Sequence, residues 1–499
     1  MNPQKKVWRG ASRLRAVATA GQAAPRRRPA GETAVVARSV APASVATQLR
    51  RGKPGSGSED LKVALRVGPV RARLSRAGRK PQVASRPPEA VAIYRAHILT
   101  PVGDAGWADW NDGRLDVIDG KIVHAGPWKK RGLEAAPPRH YTDLRPHILF
   151  PGLVDTHAHV PQLPICGVHP ENLLEWLKKW VFPLERRFRG ERALALSRDF
   201  MHEMLVQGTT TAGLYTSAWP DSVEACFSAA EEVGIHAWIG PPLMDDGAYR
   251  GVTTKRVLDE ARALARLDRP KLRFAVTPRF ALSCTRELLE GCGDLAREKN
   301  LPIQTHLAEQ QAECQAVRER FGQEYLEVYE DAGLVTPRSL FAHAIWLSAR
   351  EWQHLAPCAI AHCPTSNVFL GSGVMNWQRA QVARVGLGSD VGAGPDLSIF
   401  RVARMSWTVH LLEGRAPSPA ELLRTATVGG AKALGFDDVG SLEKGKAADF
   451  IVLDWRQIVP AGAPTTESTD DLLSRILHRA TRSSVRQVYV SGVLRHQRA

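Results

Sequence analysis

The sequence predicts an α/β protein, a (β/α)8 TIM barrel with a small β-sandwich domain formed by both ends of the folded region. Three observations lead there. Between Ile148 and Asp390, short apolar runs alternate with longer stretches of helical rhythm, the order expected of parallel βα units. Eight such runs can be counted: Ile148–His159, Thr209–Thr216, His236–Met244, Leu272–Arg279, Leu301–Glu309, Ser339–Leu347, Ala359–Asn367 and Val382–Asp390. On either side the texture changes to short alternating runs broken by turn residues, so the two flanking segments can pair into one β-domain.

Taken in order, residues 1–88 are rich in Arg, Ala, Pro, Ser and Gly, contain no Phe and hold Trp only at Trp8. That composition cannot bury a core and predicts a basic disordered extension. It also fits an organelle transit segment, an RNA-holding tail or a start codon assigned too far upstream. From Val91 onward, Val91–Leu99, Arg114–Ile118 and Lys121–His124 read as strands, with turns at Asn111-Asp112-Gly113 and Asp119-Gly120. Residues 89–147 join residues 438–499, where Ala448–Leu453 and Val485–Val493 have the same alternation, in a composite β-domain. Residues 148–437 form the barrel, with helical candidates such as Ser222–Gly234 and Lys255–Leu267 between its strands.

Charge and cysteine usage narrow the function classes. The 499-residue chain carries a formal charge of +16. Residues 1–90 hold 20 Lys and Arg against four acids (Glu32, Glu59, Asp60 and Glu89), so that segment accounts for the whole excess. A nucleic-acid-binding face spread over the folded body is excluded, and nucleic acid is conceivable only through residues 1–90. Seven cysteines without a C-x-x-C pair argue against a disulfide framework or a thiolate metal site, and a reducing cytoplasm is the simplest setting. No run approaches the roughly 18 apolar residues of a membrane helix, so no membrane partner is expected.

A barrel should gather its reactive residues at the carboxyl ends of its strands. His157 and His159 end the first strand, Arg279 the fourth, His306 and Glu309 the fifth, and Asp390 the eighth, while His343 lies in the sixth. The i,i+2 spacing of His157 and His159 puts both imidazoles on one face of a strand. With a third His and an Asp at other strand ends they make an N/O set suited to Zn2+ or Fe2+ with room for a water, whose pKa a metal lowers from 15.7 to about 7. Glu309, three residues after His306, can turn into the same pocket as a proton shuttle. Two histidines have structural alternatives: His343 could be a hydrogen-bonded core residue, and His362 reads as structural. Trp176, Trp180, Phe182 and Phe188 recur at near-helical spacing and read as a packing stripe.

The run Pro151-Gly152-Leu153-Val154-Asp155-Thr156-His157-Ala158-His159, the His306 strand, His362-Cys363-Pro364, Gly386-Leu387-Gly388-Ser389-Asp390 and the closing Gly440–Asp449 resemble the amidohydrolase superfamily over about residues 91–499. Within it, Pro161-Gln162, Cys166-Gly167, Leu173–Leu177 leading to Phe182-Pro183, and Pro278–Cys284 are most similar to the guanine deaminases. The resemblance implies one zinc per chain on His157, His159, His306 and Asp390, with guanine held by Gln162, Arg279 and Phe280 beside His306, Glu309 and Asp390. It also implies that Glu309 and Asp390 move protons while His343 polarises the reacting centre, and that the chain forms a homodimer. Chemistry agrees: the O6 and N7 acceptors of guanine suit the donor fork of Arg279, its flat ring suits Phe280, and Gln162 can both donate and accept.

Three rival readings follow from the same residues. One keeps the reaction and changes the substrate to a triazine, an oxidised purine or an adenosine derivative. A cyclic-amide hydrolase would need a bridging modified lysine, whereas strand four ends Ala275-Val276-Thr277-Pro278-Arg279. The third is a binding protein acting through the basic segment. The unrelated cytidine-deaminase design is excluded, because Pro357-Cys358 is followed by Cys363 at the wrong spacing.

Overall fold

A computed structural model of the chain describes residues 91–128, 140–168, 173–246, 251–464 and 468–498. The expected extension, residues 1–88, lies outside them. Four strands from the N-terminal side, β1 (Ala92–Val102), β2 (Gly106–Ile118), β3 (Lys121–Pro127) and β4 (Thr142–Pro151), open the described fold. The barrel strands follow: β5 (Leu153–His159), β6 (Thr209–Tyr215), β7 (His236–Gly240), β8 (Leu272–Phe274), β9 (Ile303–Leu307), β10 (Ser339–His343), β11 (Ala359–His362) and β12 (Arg384–Leu387). Then β13 (Phe450–Leu453), β14 (Val485–Val490) and β15 (Val493–Gln497) return to the first group.

The two end segments form one seven-stranded sheet in the order β15-β14-β13-β4-β1-β2-β3. Two-layer packing is reached within this single hydrogen-bonded sheet. Tyr94 on β1 has its ring centroid 5.3 Å from Phe450 on β13 and 5.5 Å from Tyr489 on β14, although β14 lies three positions from β1 in the sheet. Strands spaced about 4.8 Å apart in a flat sheet would hold those tyrosine positions roughly 14 Å apart, so the sheet curls around its own aromatic core. Asp119 and Gly120, with φ of 48° and 74°, make the expected tight turn between β2 and β3. Asn111-Asp112-Gly113 is not a turn. It lies inside β2, where pairing slips between Ala96↔Gly113 and Ile98↔Trp110, so Asn111 and Asp112 bulge opposite His97 and Arg95 binds the Asp112 carboxylate.

All eight barrel strands run parallel in two four-stranded groups, β5-β6-β7-β8 and β12-β11-β10-β9. Backbone bonds close both seams. At the first, Val276 N–H donates to Pro302 O (2.9 Å) and Gln304 N–H to Val276 O (3.0 Å). At the second, Asp390 N–H donates to His157 O and His159 N–H to Val391 O, both at 2.8 Å. The run expected as one strand, Ile148–His159, divides at Gly152: its first part belongs to the curled sheet and its second opens the barrel. A Cβ at Gly152 would lie 2.1 Å from Thr210 Oγ1, so the crossing requires glycine. The expected seventh strand is shorter, ending at His362, because Pro364 opens the helix Pro364–Phe369. Between strands, the helix Pro220–Val233 stops at Gly234, whose φ of 78° only glycine adopts freely, and Thr253 caps the helix Thr254–Leu264 by accepting from Arg256 N–H. Among the described residues, no helix is long and apolar enough to cross a membrane.

Barrel closure depends on close strand approach, and Gly240 on β7 tests this. Its missing Cβ would sit 2.2 Å from Ala275 O and 2.1 Å from Thr277 Oγ1. Gly240→Ala is therefore expected to destabilise the chain by about 2 kcal/mol and to lower its melting temperature by a few degrees in a scan at fixed rate. An unchanged melting temperature would show that the neighbouring strand yields without cost.

Candidate active site

The carboxyl ends of β5, β9, β10 and the segment after β12 meet over the barrel mouth. Asp155, fully buried on β5, accepts from Ser389 N–H (2.9 Å) and Ser389 Oγ–H (2.5 Å) and so fixes the approach of Asp390. Burial pushes the Asp155 carboxyl up to about 7. Asp390 Oδ1 then lies 3.3 Å from His157 Nε2 and 3.4 Å from His159 Nε2, while His306 Nε2 is 3.3 Å from His159 Nε2. Despite burial, the neighbouring imidazoles hold the Asp390 carboxyl well below the usual range. One ligand atom from each of His157, His306, His343 and Asp390 fits within a 4.8 Å cluster.

The donor chemistry fits a divalent metal. Neither nitrogen of the fully buried His157 ring makes a hydrogen bond, an arrangement expensive to bury without a Lewis acid. His306 Nδ1–H donates to Arg279 O at 2.7 Å, which fixes the tautomer and turns the Nε2 lone pair into the cluster. His343 Nδ1–H donates to Asn367 Oδ1 at 2.8 Å, and its Nε2 points between Glu309 Oε2 (3.8 Å) and Asp390 Oδ2 (3.9 Å). Burial lowers the His343 pKa, but those two carboxylates outweigh it and hold the group above its ordinary value. For Glu309, burial dominates and raises the carboxyl to about 7, opposed first by the charge of His343 and more weakly by the hydrogen bond that Ser372 Oγ–H donates to Oε1 at 3.0 Å.

Backbone strain is concentrated here. Ala308, His343, Ala344 and Asp390 all adopt positive φ, between 48° and 72°, which side-chain-bearing residues avoid. Backbone bonds hold them in place: Ala344 N–H donates to Leu307 O (2.9 Å) and Ile345 N–H to Ala308 O (3.1 Å). The strain lets the chain reverse at once after a strand, so that His343 and Asp390 face inward at the rim.

A pocket covers the cluster and is lined by Gln162, Arg279, Phe280, His159, His306, Glu309, His343 and Asp390, with Trp176, Leu177 and Leu370 among its apolar walls. The pocket thus gathers every residue singled out in the sequence for the site except His157, whose ring lies beneath it, 4.8 Å from His306. His362 does not reach it; it is fully buried and hydrogen-bonded through Nε2 to Ser406 Oγ at 3.1 Å. The aromatic stripe divides. Phe188 is core and Trp180 is exposed, but Trp176 lines the pocket and Phe182 lies 5.3 Å from the Arg279 guanidinium carbon.

Several residues went unread in the sequence. Glu185, with no exposed surface, accepts from Arg279 Nη1–H at 2.7 Å and from Gln162 Nε2–H at 3.0 Å. Its signal was slight, one carboxylate in an apolar run, Phe182-Pro183-Leu184-Glu185. Tyr215 ends β6 with its ring 4.8 Å from His157 and 4.6 Å from His159, forming the wall behind both. Glu313 accepts from the backbone N–H of Glu309 (3.0 Å) and from Tyr325 Oη–H (2.6 Å), holding the loop that carries Glu309.

Fold and donor set together define a metal-dependent hydrolase. The chain belongs to the amidohydrolase family, whose pattern matches residues 148–495. Guanine deaminase of Escherichia coli (strain K12) is 34% identical over 407 residues, covering 78% of this chain and 92% of that protein. Its solved structure superposes with a TM-score of 0.77 at 32% identity over 82% of this chain and all of that one. A guanine deaminase from C. acetobutylicum, solved with guanine in its active site, gives a TM-score of 0.75 at 27% identity, covering 81% of this chain and all of its own. An adenosine deaminase from Xanthomonas campestris, solved with zinc bound, gives 0.72 at 26% identity, covering 81% and 92%.

If Asp390 contributes to holding a metal, Asp390→Asn is expected to weaken retention at least about tenfold, measured as metal content after dialysis against a competing chelator. Retention at the parent stoichiometry would remove Asp390 from the donor set.

Proposed function

We propose that this chain hydrolyses guanine to xanthine and ammonia. The observation that carries the reading is one pocket with two unlike ends: a His/Asp/Glu cluster at its floor, and a hydrogen-bonding array of Gln162 and Arg279 beside Phe280. Similarity to the guanine deaminases over most of the chain supports it. One zinc per chain would be held by His157, His159, His306 and Asp390, and when bound it would acidify a water to a pKa of about 7. In this reading Arg279 donates to the O6 and N7 edge, Gln162 pairs with the ring edge, and Phe280 packs against the ring. Together they set C2 over the floor of the pocket.

Protons then move through this chain's own side chains. Glu309 takes one proton from the attacking water and delivers it to the ring nitrogen, and it later passes the second water proton, handed on by Asp390, to the departing amine. Its elevated pKa suits both halves of that task. Asp390 takes the remaining water proton, and His343, held by Asn367, polarises the reacting centre. Water oxygen ends on C2 and the 2-amino group leaves as ammonia, so the product is the 2-oxo purine. Seven free cysteines agree with a reducing cytoplasmic setting, and the homodimer implied by family resemblance can be checked by particle mass in solution.

Guanine supplied to metal-loaded protein is expected to yield xanthine and ammonia in equal amounts. Turnover of a triazine or an adenosine derivative in preference to guanine would overturn the substrate assignment. Glu309→Gln should keep its metal and lose on the order of 10²–10⁴-fold in kcat; a near-parental rate would remove the proton shuttle. Ser372→Ala deletes a hydrogen bond that favours ionised Glu309, so the Glu309 pKa should rise. The form that accepts a proton is then lost earlier as pH falls, and the acid limb of the kcat/KM profile moves to higher pH. A limb that stays in place, or moves down, would contradict this.

A further inference from the structure

Glu185 stands outside the pocket lining yet governs two residues that border it. Its carboxylate can only accept hydrogen bonds, and it accepts from both Gln162 and Arg279. On the amide, this forces Nε2 toward Glu185, while Gly392 N–H, 3.4 Å from Oε1, holds the other end. The amide therefore cannot rotate by half a turn without setting donor against donor at Gly392 and acceptor against acceptor at Glu185. On the guanidinium, Nη1 is tied to Glu185 and the plane is backed by Phe182, three residues earlier on the same short helix, Phe182–Arg187. The carboxylate also offsets the Arg279 charge where both side chains are almost fully buried, at 4% and 0% exposure.

We propose that Glu185 is a positioning residue for ring recognition: by fixing which edge of Gln162 and of Arg279 faces the pocket, it makes the site selective for a purine bearing an oxygen at C6. The proposal rests on the purine reading above, in which those two side chains meet the substrate. Glu185 itself touches no reacting atom. A glutamine in its place would offer one acceptor and one donor to two donors, so one of the two contacts must break or the Gln162 amide must turn over. Either change degrades the array at the ring edge and leaves the metal-binding floor intact.

Binding, rather than turnover, separates this role from a general structural one. Hypoxanthine and unsubstituted purine differ at C6, and their affinities for the metal-loaded protein can be measured by titration calorimetry. Glu185→Gln is expected to weaken hypoxanthine by about tenfold or more, the loss typical of a charge-assisted hydrogen bond, and purine by less than about threefold. Metal content should match the parent. Glu185→Asp, whose shorter reach keeps one contact, should show a smaller loss of the same selective kind, and it preserves the test if the glutamine variant folds poorly. Equal weakening of both bases, or weakening of neither, would overturn the proposal while leaving the purine reading standing. Parent protein that binds neither base would overturn the purine reading and this inference with it.

Discussion

The site depends on one buried contact, the pair of hydrogen bonds from Ser389 to the Asp155 carboxylate. Asp155 is two residues before His157, and Ser389 immediately precedes Asp390. The contact therefore joins the first barrel strand to the segment after the last one at the place where the histidine pair must meet its carboxylate. Backbone bonds between His157 and Asp390, and between His159 and Val391, continue the same seam. Closing the cylinder and assembling the donor cluster are one event. A carboxylate without solvent is costly, and here three donated hydrogen bonds, including that from His157 N–H, offset only part of the cost.

Around that seam the pocket separates two tasks. Its floor is built from strand ends and holds groups whose protonation is tuned by burial and by each other: an elevated Glu309, an elevated His343 and a depressed Asp390. Its opposite side is built from the turn after β5, the segment after β8 and the short helix that supplies Glu185 and Phe182. Positive φ values at Ala308, His343, Ala344 and Asp390 lie on the floor, where rigid barrel strands can hold a conformation costing about 1–3 kcal/mol per residue. The opposite side is held by side-chain hydrogen bonds instead.

The end sheet shows a related economy. Three C-terminal strands complete a sheet begun by four N-terminal ones, with β13 paired to β4, and β4 runs through Gly152 directly into β5. The strand that carries the histidine pair is therefore anchored at its start by the two ends of the described fold together. Gly152 allows the crossing because Thr210 occupies the space any side chain would need.

By itself the sequence determined the alternation of eight apolar runs, the β-texture on either side and the polar residues at the run ends, because these are local patterns of period and position. The gathering of His157, His159, His306, Glu309 and Asp390 at one barrel mouth was legible for the same reason: each lies at or next to the end of an apolar run. The β2 bulge at Asn111-Asp112, the division at Gly152 and the early end of β11 were not legible, since each follows from what a neighbouring strand or Pro364 allows. Only the tertiary structure decided that Glu185 would hold Gln162 and Arg279, that Trp176 would line the pocket from within a small apolar cluster, and that Ser372 and Asn367 would hold Glu309 and His343. Those roles arise from contacts between residues 23 to 94 positions apart. A short-range pattern carries no record of which distant donor a buried carboxylate or amide will meet.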